Sequence, residues 1–289
     1  MYAFDYVAPQ SVDEAVAVLS ENGSDARMLA GGSDIIAQLK EGRRQVKVLV
    51  DVKKIPAANE LAFDARQGLT IGAGVSCCDI YENEHVASNY PALVDSTELI
   101  GSIQIQGRAT IGGNLCNASP AADTIPTLIV LGATARIAGP SGERDVAVED
   151  FCTAPGQTVL QDGEFLVSVH FPPPAANSGA FFLRFIPRNE MDIAVVNAAA
   201  SVVLNAGKNA FESARVAVGA VAPVPLYLPA AGAALAGSEV SDQSIEMAAE
   251  IARQSARPIT DMRGTIEQRV HLAGVLTRRA VCGAVERAR

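Results

Sequence analysis

The stretch RMLAGGSDIIAQLKEG, residues 27–42, decides how the first part of this chain folds. Met28, Leu29 and Ala30 suit a short buried strand, Ile35, Ile36 and Leu39 fall on one helical face, Ser33 is placed to cap that helix and Gly42 to end it. The order is strand, tight turn, helix. At the turn, Gly31 and Gly32 let the backbone bend and admit a ligand with no Cβ in its way, while the first helical N–H groups are unpaired and partly positive. An anion such as a pyrophosphate fits there, and a plain strand-to-helix turn would use the same two glycines.

Working outward, SVDEAVAVLSENG carries a capping box of Ser11 and Glu14, an apolar stripe of Val12, Ala15, Val16 and Leu19, and Gly23 as its stop. Downstream, VKVLVDV at 46–52 is a β-branched run that closes a β-α-β unit with parallel strands and leaves the glycines at the carboxyl end of the sheet. From about residue 60 the pattern changes to short strands, LTIGAGV (69–75), ATIGGNL (109–115), ATARIAG (133–139) and EFLVSVHFP (164–172), with a hairpin turn at GPSGE and short helices at PALVDSTELI and DTIPTLIVLG. Pro172, Pro173 and Pro174 mark a linker. Beyond it GAFFLRFIPR, DIAVVNAAASVVLNAG and ESARVAVGAVA predict an antiparallel meander, followed by helices at about 229–236, 242–256 and 265–288. The expected fold is α+β in three lobes, at residues 1–56, 57–175 and 176–289.

Composition narrows the function. The 289 residues are 49% hydrophobic and 19% charged, as in an ordinary globular protein, and a net charge of −9 without basic clusters argues against nucleic acid or an anionic membrane surface as partner. From residue 240 onward eight Lys and Arg stand against six Asp and Glu, so the last segment is the less acidic surface. The opening MYAFDYVAPQ has neither a basic nor an apolar targeting region, and no apolar run reaches the ~18–20 residues of a membrane span, so a cytoplasmic location is expected. Five cysteines without a C-x-x-C motif read as reduced thiols, and three histidines in unlike contexts suggest neither a metal site nor a nucleophile. No catalytic residue is expected.

A second glycine pair lies in RATIGGNLCNASPAADTIP, residues 108–126. Around Gly112 and Gly113 stand Asn114, Asn117, Ser119 and Asp123; Thr110 and Asn117 could bond phosphate or sugar oxygens, and Asp123 could accept from a ribose hydroxyl or cap the next helix. Two glycine clamps about eighty residues apart could grip one extended dinucleotide from two sides. A Rossmann fold with NAD competes, because Asp51 lies twenty residues after Gly31. It is weakened by GG in place of G-x-G-x-x-G and by the loss of β-α alternation after one unit.

LAGGSDIIAQLKEG, ATIGGNLCNASPAADTIPTLIVLGA and RNEMDIAVVNAAA, in this order and spacing, resemble the FAD-binding medium subunit of molybdenum hydroxylases, the carbon monoxide dehydrogenase and xanthine dehydrogenase family. The resemblance covers essentially the whole chain. It implies an FAD site between an N-terminal lobe and a β-rich middle lobe, then a lobe of small sheet and helical bundle. By position, Leu29, Ala30, Gly31, Gly32, Ser33, Asp34 and Ile35 resemble the pyrophosphate loop, with Ile35 toward the flavin. Ala109, Thr110, Gly112, Gly113, Asn114, Asn117 and Asp123 resemble the opposite clamp, with Asp123 on the adenosine side. Ile100 stands where relatives often place an aromatic residue, Leu166 resembles a backbone contact, Arg184 a basic group in reach of the flavin, and Ile193 a residue gating access to the ring.

The resemblance further implies that substrate chemistry belongs to a large subunit with a molybdenum–pterin cofactor, that a small subunit with 2Fe-2S clusters delivers electrons to FAD here, and that the assembly is a dimer of heterotrimers. The scarcity of acid–base and nucleophile constellations agrees with a chain that only holds a cofactor. Two other classes stay open on the residues alone: a self-contained flavin-dependent oxidoreductase, and a non-redox dinucleotide-binding protein.

Overall fold

A computed structural model describes residues 2–289. Its first sheet is built by β1 (Asp5–Val7), β2 (Ala26–Leu29) and β3 (Val48–Asp51), with α1 (Val12–Asn22) and α2 (Ile35–Lys40) between them. The strands run parallel in the order β1-β3-β2, so the Gly-Gly turn after β2 leaves the carboxyl end of the sheet as the sequence predicts. Ser11 caps α1 by accepting from the Glu14 N–H, but the Glu14 carboxylate takes the Gln10 N–H at 2.7 Å in place of the N–H of Ser11, so the box closes one residue early. At α2 the expected cap by Ser33 is absent: no side chain caps this helix, and its first turn is set by the Ile36 N–H on the Gly32 carbonyl.

The second sheet is antiparallel, ordered β4-β5-β10-β6-β7, from β4 (Leu61–Asp64), β5 (Gly68–Gly72), β6 (Thr134–Gly139), β7 (Gly142–Ala147) and β10 (Phe165–Phe171). A small ribbon of β8 (Cys152–Ala154) and β9 (Gln157–Thr158) precedes its central strand. Between β5 and β6 the chain winds through α3 (Cys77–Glu82), α4 (Glu84–Asn89), α5 (Pro91–Thr97), α6 (Ile103–Gln106), α7 (Ile111–Asn117) and α8 (Thr124–Val130).

Here one expectation fails. ATIGGNL, predicted as a strand, folds as the start of α7. The Thr110 hydroxyl accepts the Gly113 N–H at 2.8 Å and starts the helix, while Gly112 packs against the Ala73 backbone, so capping and tertiary contact override the β-branched alternation.

The third sheet, ordered β11-β12-β13-β14, is the expected meander of β11 (Ser178–Phe185), β12 (Val196–Leu204) and β13 (Phe211–Gly219), with β14 (Leu226–Tyr227) as a short edge. α9 (Pro229–Leu235), α10 (Asp242–Ser255) and α11 (Ile266–Ala288) cover one face through a core that includes Val196, Val216, Ala248 and Leu276. Its other face shares a core with the second sheet, joining Phe182, Ala199 and Ala217 to Leu93, Ile125 and Phe171. The first sheet is attached differently: Val48, Val50 and Ala15 pack against Ala138, Phe165 and Val167 of the second. Among the described residues no helix is long and apolar enough to cross a membrane.

Candidate functional site

A cleft of about 600 Å³ runs between the first and second sheets, within the size range of small-molecule and cofactor sites. One wall is the loop from β2 to α2. Gly32 turns it at φ +83°, in the left-handed region that favours glycine, and Gly31 lies so close to the Arg108 backbone that a Cβ would stand 2.0 Å from the Arg108 carbonyl oxygen. Among the described residues, the N–H groups of Gly31, Gly32, Ser33, Asp34 and Ile35 have no acceptor. Five successive free donors in a cleft wall make a site for a polyanion.

The facing wall is the start of α7. Thr110 and Ala109 are buried, and the segment is pinned by the Cys77 N–H on the Ala109 carbonyl at 2.8 Å. Gly112 would carry a Cβ 2.6 Å from Ala73, whereas a Cβ on Gly113 would meet only the Thr110 hydroxyl, at 3.0 Å. Asn114 accepts from the Thr124 hydroxyl at 2.6 Å through Oδ1, which leaves its amide hydrogens for a ligand, and the Asn117 amide has no partner among the described residues. Cys116 also lines the cleft, and burial pushes its thiol up to about 12, so it stays protonated.

Ala30, Gly31, Gly32, Ser33, Asp34, Ile35, Ile100, Ala109, Thr110, Gly112, Gly113, Asn114, Asn117 and Leu166 all line this one cleft, drawn together from four separate stretches of sequence. Leu29 does not; its side chain is buried with Leu39, Val46 and Leu49 beneath the loop. Asp123 and Arg184 are brought together away from the cleft lining. They form a buried ion pair, with the Asn197 amide 3.5 Å from the other carboxylate oxygen. Asp123 occupies the position before α8 but makes no capping bond. Burial pushes its carboxyl up to about 6, against the pull of Arg184 and Asn197. Ile193 is 49% exposed on the segment between β11 and β12; the nearby Met191 N–H donates to the Gly101 carbonyl at 3.3 Å, which carries this segment to the Ile100 end of the cleft.

Sequence reasoning missed the third side of the cleft, formed by Gly156, Thr158 and Leu160–Phe165, and three arginines that also line the cleft, Arg27, Arg43 and Arg44. Burial and the neighbouring Arg44 lower the Arg27 guanidinium from its usual range. The turn signal DG at 162–163, ahead of the strand read at 164–172, is the trace of this wall in the sequence. Asp51, the ribose ligand of a Rossmann reading, is buried and engaged by Tyr6 and Lys53. Among the described residues no group of three or more His, Cys, Asp or Glu could hold a metal ion.

Comparison with known proteins places the chain in a family of flavoproteins. Residues 2–174 match the family described as FAD binding domain in molybdopterin dehydrogenase, and residues 181–284 match the CO dehydrogenase flavoprotein C-terminal domain. The carbon monoxide dehydrogenase medium chain of Afipia carboxidovorans is 33% identical over 289 residues, covering 99% of this chain and 98% of that one. The xanthine dehydrogenase FAD-binding subunit of Escherichia coli O157:H7 is 29% identical over 281 residues, covering 97% and 95%. The structure of reconstituted CO dehydrogenase from Oligotropha carboxidovorans has a chain that superposes with a TM-score of 0.94 at 31% identity, covering 99% of both.

Proposed function

This chain belongs to the FAD-binding subunits of the molybdenum hydroxylases, and from that premise we propose that it is the electron relay of a multi-subunit dehydrogenase, placed between a 2Fe-2S small subunit and an external acceptor. The observation that carries the reading is the run of five free N–H groups from Gly31 to Ile35, facing the glycine-bearing start of α7 across a cleft of cofactor size. Residues 1–56 and 57–175 supply the two sides of the site, and residues 176–289 the remaining lobe.

The chain's own groups have distinct tasks. The backbone from Gly31 to Ile35 receives the pyrophosphate; the Thr110 hydroxyl and the Asn114 and Asn117 amides offer side-chain donors from the opposite wall. Ile35 and Ile100 give the ring an apolar seat, Leu166 offers its backbone, and Ile193 on its exposed segment bears on ring access. What bound FAD supplies is two-electron redox chemistry, which needs no acid–base pair from the protein. Substrate hydroxylation belongs to a molybdenum–pterin large subunit, with the whole assembled as a dimer of heterotrimers in the cytoplasm.

Native purification from the source tests this reading: the chain should co-elute with an iron–sulfur and a molybdenum subunit. A protonated Cys116 is no nucleophile, so acid precipitation should leave the flavin in the supernatant. A chain that elutes alone, with its flavin reduced by a small-molecule substrate in the absence of any iron–sulfur protein, would instead be a self-contained oxidoreductase.

A further inference from the structure

A polar chain that does not line the cleft grips the Gly31-Gly32 loop. The Tyr6 hydroxyl donates to Asp51 Oδ2 at 2.5 Å, and Asp51 Oδ1 accepts from the Lys53 N–H at 2.9 Å and from Lys53 Nζ at 3.1 Å. Lys53 Nζ also donates to the Ala30 carbonyl at 2.5 Å, and Arg108 Nε donates to the Gly31 carbonyl at 3.3 Å. The Gly32 carbonyl accepts from the Ile36 N–H at 3.1 Å. Burial would raise the Asp51 carboxyl, but the bonds from Tyr6 and Lys53 outweigh it and hold the group below the usual carboxylate range, so it stays an anion beneath the lysine.

Three successive carbonyls are therefore held by protein donors. In a planar trans peptide the C=O and the N–H point in opposite directions. Holding the Ala30 carbonyl aims the Gly31 N–H, holding the Gly31 carbonyl aims the Gly32 N–H, and holding the Gly32 carbonyl aims the Ser33 N–H. A Gly-Gly pair is the place in a loop where a peptide plane turns over most readily, because glycine populates both signs of φ. A turned peptide would present a carbonyl oxygen to the phosphate in place of a donor.

We propose that Lys53 and Arg108 are positioning residues that lock the Ala30–Gly31 and Gly31–Gly32 peptide planes with their N–H groups toward the cleft, and that Asp51, itself held by Tyr6, seats Lys53 for this task. The proposal rests on the FAD reading of the cleft. The lysine acts through the Ala30 carbonyl; its ammonium is spent on that oxygen and on Asp51 and does not line the cleft.

The test uses the full chain freed of flavin, titrated separately with FAD and with ADP, which shares the pyrophosphate but lacks the flavin. Lys53→Met should weaken both ligands by the same factor, about 10- to 100-fold on the scale of one or two charge-assisted hydrogen bonds. Arg108→Met should weaken both by a smaller common factor, because its bond is longer, and Lys53→Arg should recover most of the loss. The flavin-free melting temperature should stay close to wild type in Lys53→Arg and Arg108→Met. Damage to the flavin seat would move FAD alone, and a general loss of structure would lower the melting temperature without the common factor; either result overturns the proposal. Lys53→Met and Arg108→Met variants that bind ADP like wild type also overturn it, while a wild-type chain that binds neither ligand overturns the FAD reading as well.

Discussion

Gly31-Gly32 and Gly112-Gly113 are the same dipeptide on opposite walls of one cleft, and they do different physical work. The first pair makes a turn: Gly32 is at φ +83°, Gly31 touches the Arg108 backbone, and the loop leaves five donors free. The second pair is helical, in the first turn of a helix capped by Thr110, where glycine costs roughly 0.5–1 kcal/mol against alanine. Each pair has one member that lets backbone approach backbone, Gly31 on Arg108 and Gly112 on Ala73. The other member lines the cleft and would meet only side chains, Leu29 and Ile36 at Gly32 and the Thr110 hydroxyl at Gly113. A doublet in sequence thus marks a close approach and a ligand face side by side, and says little about whether the backbone there is turn or helix.

The comparison can be broken at each of its four positions. Gly31→Ala should have the largest effect, because its Cβ would stand 2.0 Å from a carbonyl oxygen that cannot yield without moving the Arg108 segment. FAD affinity should fall by more than about 100-fold, with a stability loss of ~1–3 kcal/mol as for other overpacked sites, read by flavin titration and denaturant unfolding. Gly112→Ala comes next, since its Cβ would lie 2.6 Å from Ala73. Its stability loss should also be ~1–3 kcal/mol, with a smaller loss of FAD than at Gly31. Equal losses of FAD at the two sites would erase the distinction between a donor loop and a packed helix.

Gly32→Ala sharpens the picture, because its neighbours, the side chains of Leu29 and Ile36, can give way and the strain is in the backbone. A left-handed non-glycine residue costs roughly 1–2 kcal/mol, and FAD affinity should drop about tenfold as the donors turn. Gly113→Ala should be the mildest. Removing a helical glycine should leave the flavin-free melting temperature unchanged or raise stability by up to ~1 kcal/mol, while FAD weakens only a few-fold. If Gly113→Ala melts as early as Gly112→Ala, the second pair is a packing motif and its ligand face is lost.

The legible parts of the molecule were those whose signal is local. The β-α-β unit, the hairpin at GPSGE and the three-strand meander follow from periodicity and turn residues within a few positions of one another. ATIGGNL misled because its alternation is strand-like while the deciding contacts, Ala73 and the Thr110 cap, depend on tertiary packing and on one hydroxyl. Asp123 stayed open between a ribose contact and a helix cap for the same reason: its partner Arg184 is 61 residues away in sequence. The wall at 156–165 carries no cofactor motif beyond the DG turn at 162–163 and the start of the strand read at 164–172, because it contributes mainly shape to the cleft. The residues alone already suggested that the two glycine pairs could grip one dinucleotide from two sides, and the resemblance supplied what they could not, namely that this dinucleotide is FAD.

The uneven sharing of cores carries a consequence in time. The strands of the first sheet are only 3 or 4 residues long, and they bury their face against Ala138, Phe165 and Val167. A sheet so small is not stable by itself. During synthesis residues 2–52 leave the ribosome well before the strand at 165–171, the centre of the second sheet, whose emergence completes their packing surface. Residues 2–52 should therefore be the last part of this half to settle, and the nascent segment waits, exposed to proteases and chaperones, for more than a hundred residues of translation.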